Sequence, residues 1–80
     1  MINVEVRLYA TLRKYTPKAK QSGVFKVSLR QGVTLQGLYD RLNIPLDDVK
    51  IVMVNGRAQH HGFTLSDGDR IALFPPVAGG

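Results

Sequence analysis

Few titratable side chains in this 80-residue chain stand close enough in sequence to act together chemically. They are His60 beside His61, Asp67 and Asp69 around Gly68, and the cations Arg13, Lys14, Lys18 and Lys20. Adjacent histidines on a strand point to opposite faces, so His60 and His61 are read as solvated loop residues and not as joint ligands of a metal. Carboxylates that flank a glycine in a turn ordinarily bond to their own backbone. A general acid–base pair would also need a partner group, and the sequence offers no other candidate. The chain has no cysteine, which removes a thiolate nucleophile, a disulfide scaffold and thiolate-ligated metal sites. It contains no G-x-G-x-x-G, no Walker loop and no H-E-x-x-H. The four cations raise a nucleic-acid reading, but no aromatic platform is interleaved with them, so a solvated surface is expected instead.

The C-terminal residues differ in kind. After Phe74 come Pro75 and Pro76, which have no N–H to give a sheet ladder, and then Val77, Ala78, Gly79 and Gly80, all small and uncharged. These six residues are expected to leave the sheet as a flexible arm (75–80), attached to a folded domain over 1–74, with a reach of roughly 20 Å. Val77 to Gly80 have too little side chain to offset the roughly 1–2 kcal/mol of backbone entropy lost per ordered residue, so ordering is expected only in a partner's channel. Two glycines let the backbone approach another protein's reactive groups closely. The arm then presents the carboxylate of Gly80, a group with a reference pKa of about 3.3–3.7 and a poor electrophile until activated. A chain with no nucleophile or metal site of its own and such an arm reads as a substrate or carrier for another enzyme. Gly80 is the candidate reacting position, and Phe74, Pro75, Pro76, Val77, Ala78 and Gly79 are the candidate partner-binding residues.

The elements that must hold this arm follow from periodicity. Residues 2–9 alternate, with Ile2, Val4, Val6 and Leu8 on one side, and Phe25, Val27 and Leu29 alternate likewise over 24–30; both have the period of half-buried strands. Residues 10–15 predict a short turn, and 16–23 a surface loop through Pro17. Thr34 is placed to cap a helix running to about Asn43, with Leu35, Leu38, Tyr39 and Leu42 on one stripe. Gly37 weakens that helix by about 1 kcal/mol relative to alanine, and Pro45 limits its extension. Ile51 to Val54 predicts a third strand, turning at Asn55-Gly56 in a type I′ hairpin into residues 57–59. Ser66 to Asp69 predicts a turn, and Arg70 to Phe74 the last strand. One helix on one face of a mixed sheet is an α+β two-layer roll, with the first and last strands free to lie parallel at its centre.

Composition agrees with one small soluble domain: 44% of residues are hydrophobic and 21% charged. No apolar run approaches the roughly 20 residues of a membrane span, and the alternating N-terminus is unlike a secretory signal, so the chain is read as cytoplasmic. The net charge of +5 is concentrated in residues 1–41.

The framework Val54-Asn55-Gly56, Leu65-Ser66-Asp67-Gly68-Asp69 and Ile71-Ala72-Leu73-Phe74-Pro75-Pro76-Val77-Ala78-Gly79-Gly80 resembles the MoaD/ThiS family of ubiquitin-like sulfur carriers. The opening Val6 to Arg13 is also similar to the start of the molybdopterin synthase small subunit. The resemblance spans essentially the whole chain and implies a β-grasp fold. It further implies that an E1-like (MoeB-like) enzyme adenylates Gly80 with ATP and that a persulfide donor supplies sulfur to form a thiocarboxylate. The arm would then enter a MoaE-like large subunit, where its sulfur passes to a cyclic pyranopterin in molybdenum cofactor biosynthesis. No cofactor is implied on the chain itself, and neither a nucleic acid nor a membrane partner. The thiamine branch shares the double glycine but usually lacks Phe-Pro-Pro. A carrier for tRNA thiolation, a ubiquitin-like modifier of lysines, and a non-catalytic β-grasp interaction module are the other readings.

Overall fold

The computed structural model describes residues 1–16 and 23–76. Five strands, β1 (Ile2–Leu8), β2 (Val24–Leu29), β3 (Ile51–Val54), β4 (Arg57–Ala58) and β5 (Arg70–Phe74), form one mixed sheet in the order β2-β1-β5-β3-β4. β1 and β5 are parallel neighbours at its centre, with Val6 opposite Ile71 and Leu8 opposite Leu73, and the remaining pairings are antiparallel. The β3–β4 connection is the two-residue turn expected of Asn55-Gly56, whose φ angles of 53° and 83° are both left-handed.

The helix α1 (Leu35–Leu42) supplies the second layer. Its first amides would be orphans without partners from outside the helix. Phe63 and His61 carbonyls accept from the N–H groups of Leu35 and Gln36, and the Thr34 hydroxyl accepts from Gly37. Leu35, Leu38 and Tyr39 are buried against the inward side chains of β1, β3 and β5, while Leu42 packs at the margin of the core. The helix ends at Asn43, which turns left-handed at φ 60°, so the stop comes before Pro45 exerts its own constraint.

Two local features depart from the sequence expectation. The stretch Ala10–Tyr15 is a 3-10 helix that drives Leu12 into the core, and a further 3-10 turn forms over Leu46–Asp48. Tyr15 donates its hydroxyl to Asp48 at 2.7 Å and so ties the two together. That hydrogen bond, with some burial, raises the pKa of the tyrosine. The loop expected through Pro17 lies mostly outside the described residues.

Candidate functional site: the exit of the central strand and the open sheet face

The site is built from the end of β5. Its parallel register with β1 places Tyr9 next to Phe74, and the two rings stack at 4.7 Å between centroids with 6° between planes. The Phe74 carbonyl accepts from the Lys50 N–H at 2.8 Å and the Leu73 carbonyl from the Tyr9 N–H at 3.3 Å. Pro75 follows with no amide hydrogen, so the ladder ends there for a chemical reason. Phe74 and Pro75 are half-buried and Pro76 is exposed. The strand is therefore held from both sides up to its last residue, which fixes the origin of whatever follows it. Val77, Ala78, Gly79 and Gly80, together with the arm's expected mobility, lie outside the described residues.

The sheet face opposite α1 has no covering layer among the described residues. Ile51 is 49% exposed and Tyr9 40%, and Met53, Ala72 and Phe74 are partly exposed on the same face. A shallow trough of about 620 Å³ lies on it, lined by Arg7 and Arg70 and by the apolar or aromatic side chains of Tyr9, Met53, Ala72 and Phe74 among others. The sequence points to the surface around Phe74 as the place where a partner docks, but the extent of this open face is missed, although a signal for it is present. Ile51-Val52-Met53-Val54 and Ile71-Ala72-Leu73-Phe74 are apolar on both sides of the pleat, the pattern of strands covered on both faces. This chain's helix covers only one.

The other candidates resolve into structural roles. His60 accepts from the Gly62 N–H at 3.1 Å, whereas His61 is half-buried with its Nδ1 2.9 Å from the Tyr39 hydroxyl. Neither His61 nor Asp67 behaves as a free loop residue. Asp67 does not bond to its own turn; it accepts from the Asn3 N–H of β1 at 2.7 Å. Asp69 is buried and does bond within its turn, to the Ser66 N–H at 2.8 Å, and also accepts from the Asn55 side chain at 2.9 Å. The strand-and-turn topology recruits these carboxylates as clamps between β1, the hairpin and the turn. Among the described residues, no group of three His, Asp or Glu side chains could hold a metal ion. Of the basic cluster, Arg13 and Lys14 sit in the last turn of the 3-10 helix, and Lys18 and Lys20 lie outside the described residues. No helix among the described residues is long and apolar enough to cross a membrane.

Comparison with known proteins gives this architecture its place. The model of the ThiS family matches residues 6–80. Among solved structures, SAMP1 from Haloferax volcanii is 28% identical with a TM-score of 0.74, over 98% of this chain and 99% of that one. A chain of the complex of subunits 1 and 2 of the molybdopterin-converting factor from Helicobacter pylori is 25% identical with a TM-score of 0.62, over 99% and 100%. A ubiquitin-like protein from Caldiarchaeum subterraneum shares the fold at 14% identity and a TM-score of 0.55, over 98% and 100%. No curated protein sequence matched. The mixed five-stranded sheet with one main helix is a ubiquitin-like β-grasp. The chain belongs to the ThiS family, and its fold is that of the MoaD/ThiS-like ubiquitin-like sulfur carriers.

Proposed function

We propose that the protein is a sulfur carrier and serves as the small subunit of a molybdopterin synthase, with the carboxylate of Gly80 as its reacting group. The observation that carries this reading is a family match that runs through the double glycine, on a chain whose central strand ends in a clamped Phe74 followed by two prolines. The carboxylate attacks the α-phosphorus of ATP on an E1-like enzyme, releasing pyrophosphate and leaving an acyl adenylate. The terminal sulfur of a persulfide donor then displaces AMP to give an acyl disulfide, and a second thiol on the sulfur-donating enzyme cleaves its S–S bond, forming a disulfide with the donor's sulfur and leaving the thiocarboxylate. A MoaE-like large subunit receives the arm and the sulfur passes to the pyranopterin. The likeness to the subunit complex from Helicobacter pylori supports that partner. In this scheme Phe74, Pro75 and Pro76 set the exit direction, Val77, Ala78 and Gly79 thread the partner's channel, and the open apolar face docks.

A second reading, a ubiquitin-like modifier joined to lysines, is favoured by the likeness to SAMP1 over nearly the whole of both chains. One experiment separates the two. The chain is incubated with the E1-like enzyme, ATP and a sulfur donor, and its intact mass is measured. Replacement of one oxygen by sulfur is expected, and it should fail both when Gly80 is deleted and when an uncleavable residue is added after it. Transfer of that sulfur to a pyranopterin by the large subunit completes the first reading. Isopeptide products on lysine without such transfer would support the second. Normal sulfur loading of the extended chain would refute the role of Gly80.

A further inference from the structure

The open face carries a charge pattern that the chemistry of Gly80 does not use. In the strand registers Glu5 stands opposite Lys26 of β2 and opposite Arg70 of β5, with Arg7 two residues along β1 on the same side. Three cations therefore surround one carboxylate, which bonds only to Arg7 among the described residues, Nε to Oε2 at 2.9 Å. That hydrogen bond raises the pKa of Arg7 further above its ordinary value. Another acid, Asp67, borders the same region together with Glu5 and Arg70 and has one oxygen engaged by the Asn3 N–H. Arg70 forms no ion pair among the described residues and lines the trough, in which two guanidiniums meet apolar side chains and no carboxylate.

We infer, building on the carrier reading, that this trough docks a partner protein whose surface sets a carboxylate on Arg70 beside an apolar side chain resting on Met53, Ala72 and Phe74. Arg70 is then a specificity-determining residue, and Arg7, already held by Glu5, supports it. A guanidinium is suited to this place because its planar fork takes both oxygens of a carboxylate and is weakly hydrated enough to be covered. The apolar lining excludes water as the partner seats, and that strengthens the pair. Two other occupants fit less well. A second copy of this chain, docked by two-fold symmetry, would bring the same cations onto this surface. A single-stranded nucleic acid needs a row of free aromatic faces along a cationic groove. Here Tyr9 and Phe74 are stacked on each other, and Glu5 and Asp67 lie nearby.

The test is calorimetric titration of the full chain into the E1-like enzyme at two salt concentrations, for wild type, Arg70→Glu, Arg70→Gln and, as a charge-matched control on the helix side, Arg41→Glu. Thermal melts confirm that each variant folds. Loss of affinity of about tenfold or more is expected for Arg70→Glu, less for Arg70→Gln and little for Arg41→Glu. Salt should weaken the wild type more than Arg70→Glu, and the adenylation kcat at saturating carrier should hold. Replacing one partner carboxylate with lysine should restore binding to Arg70→Glu. Wild-type affinity in Arg70→Glu, or an equal loss in Arg41→Glu, overturns the docking proposal while leaving the carrier reading intact. A wild-type chain that the enzyme neither binds nor adenylates overturns both. Binding of an oligothymidylate, or self-association of the chain, that Arg70→Glu abolishes would reassign the trough and overturn the proposal.

Discussion

Tyr39 and Asp69 are the two residues whose polar atoms cost most to misplace. Tyr39 is fully buried, and burial pushes its phenol up to about 12 from the ordinary value of 10.0. The folded state therefore holds a proton that the unfolded chain releases above pH 10. The stability this represents is complete below pH 10 and is lost as pH rises toward about 12, with a slope of at most about 1.4 kcal/mol per pH unit. Denaturation of wild type and Tyr39→Phe across this range should give curves that first converge and then cross as pH rises, because the linkage loss outgrows the neutral-pH advantage of the tyrosine, and subtraction removes the similar contribution of Tyr15. At neutral pH, Tyr39→Phe gives up the bond to His61 and should cost about 0.5–1.5 kcal/mol. Asp69→Ala strips the acceptor from both the Ser66 N–H and the Asn55 side chain. A loss of about 1–3 kcal/mol is expected in urea unfolding, reflecting donors left without partners. The turn glycine and the two acids were legible in the sequence as a turn. The long-range bonds of Asp67 to β1 and Asp69 to the hairpin were not, because nothing local encodes which distant amide a carboxylate will meet.

Among the elements, α1 was legible almost to the residue, since capping and the i, i+3, i+4 stripe are local properties. Leu38 is fully buried at the centre of that stripe, so Leu38→Ala should cost about 2–5 kcal/mol and lower the melting temperature sharply. Gly37 was legible only as a weakness. A Cβ at this position would lie 2.6 Å from Cγ2 of Val33, a stiff side chain packed against the core. Gly37→Ala is therefore expected to destabilise the protein in a thermal melt, although alanine favours a helix by about 1 kcal/mol. The 3-10 helix over Ala10–Tyr15 shows the opposite limit. Its helix-forming residues and the following proline read as a turn, and only the packed fold reveals that Leu12 is a core residue. The strands are legible from their inward faces. Of their outward faces, which make the candidate docking surface, only the part around Phe74 is legible, because a single covering layer is expected.

For the molecule as a whole, the parallel pairing of β1 with β5 decides when the protein becomes usable. The first strand waits for the last to be synthesised, and the Asn3–Asp67 bond spans 64 positions of sequence. Pairings of such separation make folding slower than in helical bundles of similar size, and they leave the centre of the sheet empty until the end. The strand that completes the core is also the one from which Pro75 and Pro76 depart. A truncated or misfolded copy thus lacks the stacked Tyr9–Phe74 pair and the trough beside it. Under the proposed function, an enzyme that consumes ATP only after gripping this face would inspect folding before committing to chemistry, and the topology would then act as a built-in form of proofreading against defective chains.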